Sequence, residues 1–287
     1  MNVYEIVTQK IIEKLEKGVI PWRKPWDTKN GAVNWNSQRA YRGINAMLLD
    51  PGEYATFKQI TAAGGKVKKG EHAQIVVLWQ FGTKEVESEK TGLKHVEKTC
   101  WLKYFSVFNI ETQCEGLKPK RKIVERNNDP IADAEAIVAS YTNDGDPELT
   151  FNGGKAYYMP SMDLISVPPL SDYANPAEYY STLFHEMVHS TGHANRLNRK
   201  GVTQNTGFGT ETYSKEELIA EIGAAMLCGV AGIEAATLEN SAAYIKSWLG
   251  RLKEDPKLVV HAAGAAQKAA DYIQGIQSEE IAEDKAS

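Results

Sequence analysis

The sequence of 287 residues is poor in cysteine, with only Cys100, Cys114 and Cys228. Their odd number and the lack of a CxxC pair argue against a disulfide scaffold and against a cysteine-based zinc site. No run approaches the ~18 continuous apolar residues of a membrane span. The first residues, Met1–Glu5, also lack the basic-then-apolar plan of a signal peptide. We therefore expect a cytoplasmic protein without a membrane partner.

Neither sign of charge dominates the chain as a whole, because 33 Lys and Arg oppose 37 Asp and Glu. The two halves differ, however. Residues 1–126 carry 22 basic and 14 acidic side chains, a balance of +8, whereas residues 127–287 carry 11 and 23, a balance of −12. This asymmetry predicts two domains, 1–126 and 127–287, of which the first faces a polyanion. The alternative is that both are ordinary solvated surfaces.

The hydrophobic pattern predicts an α+β protein. Helical spacing covers residues 4–17, and runs of β-branched and aromatic residues predict strands at Ile75–Phe81 and Cys100–Phe108, joined as a hairpin. The polar, breaker-rich stretch Gly116–Pro130 marks the domain junction. The second half is predicted to contain strands at 156–159 and 164–167 and helices near 131–143, 176–191, 214–229, 239–253 and 257–277. We expect a small α+β N-terminal domain and a mostly helical C-terminal domain with a short sheet.

The run His185-Glu186-Met187-Val188-His189 is the strongest motif. Two imidazoles four residues apart on a helix point the same way and can hold one metal ion, with Glu186 beside the open coordination position. Glu186 is therefore the candidate catalytic residue, a general base for metal-bound water that can pass the proton to a leaving amine.

A zinc ion that performs chemistry needs a third protein ligand and a free fourth position. Asn195 stands where the longer HExxHxxGxxH pattern has its third histidine, which excludes that class of site. His193 lies four residues after His189, but Gly192 favours a helix end before it. The third ligand is therefore sought elsewhere.

The apolar helix predicted over residues 214–229 is a better source of the third ligand. Glu217 and Glu221 lie four residues apart, which projects both carboxylates onto one face, and a carboxylate buried there needs a partner such as a metal or a metal-bound imidazole. We assign Glu217 as the third ligand and Glu221 as the residue that orients a ligand histidine, with Glu221 as the rival ligand. Zn2+ is the favoured ion and Mn2+ the alternative. The candidate donors to an oxyanion are Tyr213, Tyr157 and His193.

The basic half interleaves aromatic rings with cations. The candidate DNA-binding residues are Trp22, Arg23, Lys24, Trp26, Arg39, Tyr41, Arg42, Lys66, Lys68 and Lys69. Cations that follow a phosphate backbone, together with rings on which bases stack, are what sequence-tolerant binding of single strands requires. Aromatic side chains cannot reach bases inside a duplex, so single-stranded DNA is the expected partner. A tryptophan flanked by proline often fills a core, so burial of Trp22 and Trp26 is the alternative.

Motifs along nearly the whole chain carry a family resemblance. They are Gly18–Trp26, Tyr41–Asn45, Val67–Gly70, Val107–Asn109, Tyr157–Tyr158, Asp163–Ile165, His185–His193, Arg196–Arg199 and Glu217–Glu221. With these motifs the sequence resembles the ArdC-type antirestriction proteins of plasmids and other mobile elements. Together they are specific, although any one alone would not be.

The resemblance implies an N-terminal single-stranded-DNA-binding domain, similar to one attached to certain plasmid primases, and a C-terminal zincin-like metallopeptidase domain of gluzincin type. It implies protection of incoming single-stranded DNA from host restriction during conjugation. His185 and His189 match metal ligands of the family, Glu186 the catalytic glutamate and Glu217 the glutamate ligand. A host restriction enzyme or another DNA-bound protein is a further expected partner. The alternative function is an active zinc peptidase that cleaves DNA-associated proteins, with the N-terminal domain as a targeting module.

Overall fold

A computed structural model describes residues 2–17, 20–21, 31–87, 94–121, 130–142, 147–151, 155–173, 175–203, 211–233 and 242–276. The chain divides into two compact units. Unit 1 consists of Met1–Lys10 and Ala32–Lys122, and unit 2 of Ile11–Gly31 and Ile123–Ser287. The domains 1–126 and 127–287 stay a prediction, and the units group residues 11–31 with the later part of the chain.

The first helix, α1 (Val3–Glu16), forms where the apolar spacing predicts it. Asn2 and Glu5 cap its start reciprocally, since the Asn2 side chain accepts a hydrogen bond from the Glu5 backbone N–H and the Glu5 carboxylate accepts one from the Asn2 backbone. Val7, Ile11 and Leu15 lie on one face of the helix and are buried.

A four-stranded sheet organises unit 1. Its elements in chain order are β1 (Ala32–Asn34), α2 (Ile44–Leu48), β2 (Gly52–Thr56), α3 (Phe57–Ala62), β3 (Lys66–Val67), β4 (Gln74–Glu87), β5 (Lys94–Asn109), α4 (Ile110–Gln113) and β6 (Cys114–Glu115). The strand order is β1-β2-β5-β4, with β1 and β2 parallel and the other pairs antiparallel, while β3 and β6 form a separate pair. The predicted hairpin is confirmed as β4 and β5, which pair from Gln74 with Val107 to Glu87 with Lys94.

The core of unit 1 lies against this sheet. One buried cluster joins Tyr54, Val76 and Val107 with neighbours from β1 and the chain after α2. On α2, the Asn45 side-chain amide pairs with both backbone groups of Val77, at 2.7 Å each. Because β4 is an edge strand, this amide satisfies backbone groups that would otherwise lack a partner strand at that point.

Unit 2 is mostly helical, as predicted. Its elements are α5 (Pro130–Thr142), β7 (Glu148–Thr150), β8 (Tyr157–Met159), β9 (Leu164–Ser166), α6 (Pro176–Ser190), α7 (Lys200–Thr203), α8 (Glu211–Ala231), α9 (Ala242–Glu254) and α10 (Leu258–Ile273). The sheet order is β7-β9-β8, in which β9 pairs in parallel with β7 and antiparallel with β8. Strand β7 was not predicted. Across the residues described, no helix combines the length and the apolar character that crossing a membrane requires.

Candidate metal centre and nucleic-acid surface

Helix α6 carries the His-Glu-x-x-His run. It starts at Asn175, whose side chain accepts a hydrogen bond from the Glu178 backbone N–H at 3.0 Å, and Pro176 occupies the first turn, where its missing N–H costs nothing. The helix ends at Ser190. His193 therefore lies beyond the helix and does not continue the face that carries the two earlier histidines.

The structure brings His185, His189 and Glu217 together. The Nε2 atoms of the two histidines are 3.1 Å apart, and the Glu217 carboxylate oxygens lie 3.7 Å from Nε2 of His185 and 3.5 Å from Nε2 of His189. Among the described residues, these three form a group whose potential ligand atoms all lie within 4.8 Å of one another. Two imidazoles and a carboxylate that converge in this way fit a divalent metal with a free fourth position.

Close packing of α8 on α6 places Glu217 beside the histidines. At Gly223 a Cβ atom would lie 2.7 Å from Cγ2 of Val188, so only glycine permits the helices to approach this closely. Glu217 lies about two turns before this contact on α8. The close approach of the two helices therefore depends on Gly223, and the geometry of the proposed ligands depends on that close approach.

Glu216 holds the other ring nitrogen of His189. Its Oε1 lies 3.4 Å from Nδ1 of His189, and its side chain is only 5% exposed. A carboxylate only accepts hydrogen bonds, so Nδ1 must carry the proton, and Nε2 of the neutral ring is left as the metal-binding atom. The helical spacing predicted this orienting role for Glu221 and did not indicate Glu216. Glu221 is half-buried on α8, and its own role stays a prediction.

Arg199 compensates the buried charge of Glu216. Its Nε lies 3.0 Å from Oε2 of Glu216 and its Nη2 lies 2.6 Å from Oε1, which is a bidentate pair. The same guanidinium donates to the Val188 carbonyl at 2.7 Å and to the Thr191 hydroxyl at 2.6 Å. Arg199 thus ties α8 to the C-terminal end of the histidine helix. The motif Arg196–Arg199 contained this residue, but its spacing gave no indication of the role.

A second arginine ties the end of α6 to the turn between β8 and β9. Arg196 donates from Nε to the Ser190 carbonyl at 2.9 Å and from Nη1 to Asp163 at 2.8 Å, and the Tyr158 hydroxyl also donates to Asp163 at 2.8 Å. Burial acts to raise the pKa of Asp163, but the bonds from Arg196 and Tyr158 outweigh it and hold the pKa below its usual value. Nδ1 of His193 lies 3.9 Å from Asp163, so this imidazole faces the carboxylate.

The carboxylates around the histidine pair attract positive charge. Burial acts to lower the pKa of His189, but its contacts with Glu216 and Glu217 raise it to about 9. Burial likewise opposes ionisation of Glu217, yet the two histidines hold the pKa of that carboxyl below its usual range. The site therefore favours a cation in its centre, which is a second reason why it fits a divalent metal.

Glu186, the predicted catalytic residue, is buried on α6. Its charge contributes to the raised pKa of the nearby His189 imidazole. The pKa of the Tyr173 phenol is raised mainly by burial, and the charge of Glu186 raises it further. Tyr173 was not predicted as a site residue. Tyr157 is exposed on β8, and the Tyr213 side chain falls outside the described residues.

The predicted DNA-binding residues lie in unit 1 where they are described. Arg39, Arg42, Lys66 and Lys69 are exposed, whereas Tyr41 and Lys68 are half-buried; Trp22, Arg23, Lys24 and Trp26 lie outside the described residues. Tyr41 packs on the buried cluster around Val76, and Lys68 donates from Nζ to the Thr112 carbonyl at 2.7 Å. These two side chains therefore have a packing or hydrogen-bonding role in the fold itself.

Comparison with protein families covers both parts of the chain. The model of a zincin-like metallopeptidase family matches residues 133–265. The model of the N-terminal domain of the anti-restriction factor ArdC matches residues 1–108. The predicted two-part architecture, with a zincin-like domain in the later part, is thereby confirmed.

Similar proteins extend the likeness along the chain. A DNA primase TraC of Escherichia coli is 32% identical over 301 residues, which cover 98% of this chain but 20% of the primase, and this chain spans 28% of a second TraC. The metal-free crystal structure of the antirestriction protein ArdC from plasmid R388 has a TM-score of 0.72 and 37% identity, and covers 96% of this chain and 98% of that one. The Mn(II)-bound structure of ArdC has a TM-score of 0.74 and 36% identity, and covers 98% and 100%.

Proposed function

Because the chain belongs to the family of ArdC antirestriction proteins, we propose that it binds single-stranded DNA and protects the incoming DNA of a mobile element from host restriction. The observation that carries this proposal is the likeness to ArdC of plasmid R388 over 96% of the chain at 37% identity. A relative named DNA primase supports a role on DNA. The protein would act during conjugation, in the cytoplasm of the recipient cell.

We assign DNA binding to the early, basic part of the chain. The balance of +8 over residues 1–126 and the exposed side chains of Arg39, Arg42, Lys66 and Lys69 support this assignment. Cations that replace condensed counterions along a phosphate backbone supply affinity that does not depend on base sequence. Such binding suits a protein that must engage any incoming strand.

We assign a divalent metal to His185, His189 and Glu217, with Zn2+ preferred on the Irving–Williams order and Mn2+ as the alternative. The convergence of the three side chains supports the site, as does the Mn(II)-bound structure of ArdC. When bound, such a metal supplies Lewis acidity and a lowered pKa for a coordinated water. We propose that Glu216 fixes the tautomer of His189, that Glu221 supports a ligand histidine in the same way, and that Glu186 accepts a proton.

The alternative is an active peptidase that cleaves DNA-associated proteins, with the basic part as a targeting module. The observation in its favour is Glu186, a buried carboxylate that directly follows His185 in the sequence. Replacing it by glutamine removes the base and keeps the shape. If Glu186→Gln abolishes protection against restriction while metal content and DNA affinity persist, catalysis is needed for function. If protection persists as well, the peptidase alternative is wrong.

Binding of the full chain to a labelled single-stranded oligonucleotide, measured by fluorescence anisotropy across a salt series, tests the proposal. We expect log affinity to fall linearly with log salt, with a slope of about −0.7 for each phosphate contacted. A duplex of the same sequence is the control and should bind more weakly. Equal affinity for the duplex, or no salt dependence, would contradict single-strand binding.

Antirestriction is measured in cells by conjugating one plasmid, with and without this gene, into restricting and non-restricting recipients. We expect the gene to raise transfer only into the restricting recipient. An equal effect in both recipients would mean that the protein acts on transfer itself and not on restriction.

A further inference from the structure

One face of the β4–β5 hairpin carries aromatic rings that alternate with a cation. These residues do not belong to the segments already assigned to DNA binding. Trp101, Lys103 and Phe105 occupy every second position of β5, so their side chains project from the same side of the sheet. The residues opposite them on β4 are Gln80, Leu78 and Val76. These six residues, together with Gly82, are called the hairpin face below.

Trp101 presents one side of its indole to solvent. A Cβ atom at Gly82 would lie 2.9 Å from Cζ3 and 3.0 Å from Cη2 of Trp101, so the ring rests directly on the glycine backbone. Nevertheless the side chain is 49% exposed. The glycine therefore supports the inner side of the ring and leaves the outer side available for stacking.

Lys103 supplies a cation between the two rings. Its Nζ lies 5.2 Å from the centroid of the Phe105 ring, and Leu78 opposite it is 45% exposed. Residues two apart on a strand are separated by about 6.6 Å, so ring, cation and ring follow one another at even steps. The exposed Trp101 ring can stack on a base, and the ammonium of Lys103 beside it can hold a phosphate.

The hairpin face continues towards the predicted cationic segment. Phe105 and Tyr41 are both partly buried, and both pack against the cluster that contains Val76 and Val107. Arg39 and Arg42 flank Tyr41 and are exposed. Phe105 and Tyr41 therefore border the same cluster, and the exposed Arg39 and Arg42 lie beside Tyr41 in the sequence.

The opposite side of the hairpin lacks this arrangement. Phe81 and Tyr104 are exposed there, but Leu102 between them is buried, Trp79 opposite it is half-buried, and Val77 opposite Tyr104 is buried. Lysine and arginine are absent from the positions of this side over Val77–Phe81 and Cys100–Tyr104. Phe81 is therefore the control for Trp101, since it is an exposed ring on the opposite side of the same hairpin; Lys98, two positions from the Cys100 that pairs with Phe81, belongs to that side.

We propose that the hairpin face is a single-stranded-DNA-binding surface, on which a base stacks on Trp101 and Lys103 holds a phosphate. The proposal rests on the proposed function, because it presumes that the chain binds single strands. The balance of +8 over residues 1–126 provides the charge complementarity. Aromatic residues on a sheet face that stack two or three bases are an established mode of recognition of single-stranded nucleic acid.

Anisotropy titrations of the full chain with a labelled oligodeoxythymidylate test this surface. Trp101→Ala should weaken binding about 5- to 100-fold, the range expected for one lost stacked base, and Trp101→Phe should be intermediate. Lys103→Gln should reduce the salt slope by about 0.7, the value for one phosphate on a single strand. Phe81→Ala should stay within about twofold of the wild type, like other exposed substitutions away from a site.

Two further measurements make the test decisive. Gly82→Ala keeps the indole but displaces it from the strand, and should weaken binding as well. Photo-cross-linking of wild type to a 5-iododeoxyuridine oligonucleotide should yield an adduct at Trp101, a result that does not depend on any variant folding. If the wild type binds in a salt-sensitive way but Trp101→Ala binds with the same affinity, the hairpin face is not the binding surface and the proposed function stands. The same conclusion follows if Phe81→Ala loses as much affinity as Trp101→Ala. If the wild type binds no single strand, the proposed function itself fails.

Discussion

The metal centre of unit 2 and the proposed DNA surface of unit 1 are built in opposite ways. At the metal centre, Glu216 is buried and is held by His189 and by the fork of Arg199. On the hairpin face, Trp101 is half exposed and its ring lies against the backbone of Gly82. The first region fixes side chains before a ligand arrives, whereas the second offers side chains that can adapt to a strand.

This difference follows from what each ligand demands. A metal ion requires donor atoms at set distances and angles, and residues that orient the ligands fix those values. A single strand of any sequence requires positive charge and open ring faces, which tolerate side-chain motion. The effects of substitutions in the two regions should therefore differ in kind as well as in size.

Removing both histidines should have the largest effect and should be confined to the metal. His185→Ala combined with His189→Ala takes away two of three proposed ligands, so the purified protein should lose stoichiometric metal. Elemental analysis of the wild type and the variant, purified side by side, measures this. Retention of metal by the variant would remove the zincin interpretation of the site.

The second-largest effect is expected when the ion pair of Arg199 and Glu216 is broken. Arg199→Ala leaves a buried carboxylate without its main partner, a change that costs about 3–5 kcal/mol of unfolding free energy. Arg199→Lys keeps the positive charge but not the bidentate geometry, so its unfolding free energy should lie between those of the wild type and Arg199→Ala. Denaturant unfolding of metal-free protein measures both. An unfolding free energy of Arg199→Ala equal to that of wild type would show that the pair does not hold the helices together.

Metal binding should also depend on pH, whereas DNA binding should depend on pH much less. The pKa of His189 is raised from 6.5 to about 9, so metal must displace a proton at neutral pH. Apparent metal affinity should rise about tenfold per pH unit and level off above pH 9. Without metal, the stabilising contribution of the protonated imidazole is full below pH 6.5 and is lost as pH rises through 9, so the unfolding temperature should fall over that window. A flat metal affinity from pH 6.5 to 9 would contradict this account.

The smallest effect is expected at an exposed ion pair of unit 2. Nζ of Lys253 lies 3.6 Å from Glu16, and both side chains are more than half exposed. Lys253→Ala should therefore change the unfolding free energy by less than about 1 kcal/mol. It is the matched control for Arg199→Ala, and a loss of similar size in both variants would mean that burial does not separate the two pairs.

Helical periodicity was sufficient to predict part of the metal centre. Two histidines four residues apart and a carboxylate on a second apolar helix identified His185, His189 and Glu217 as a group that the fold does bring together. Periodicity could not choose Glu216 as the partner of His189, because that depends on how α8 crosses α6, which Gly223 determines. Nor could it assign Arg199, which acts from a loop.

In unit 1 the long alternating runs predicted the hairpin, but not its function. Whether Trp101 is buried or exposed depends on what covers the sheet, and the alternation of β5 is the same in both cases. The short elements β1, β2, α2 and α3 were missed because three to six residues contain too little of a period to recognise.

We expect the DNA surface and the metal centre to act through separate residues. Binding of a labelled single strand by the full-length wild type and by the His185→Ala/His189→Ala variant, across one salt series, tests it most directly. The two affinities should lie within about twofold of each other and show the same salt slope, although the variant has lost its metal. A loss of DNA affinity that parallels the loss of metal would contradict it.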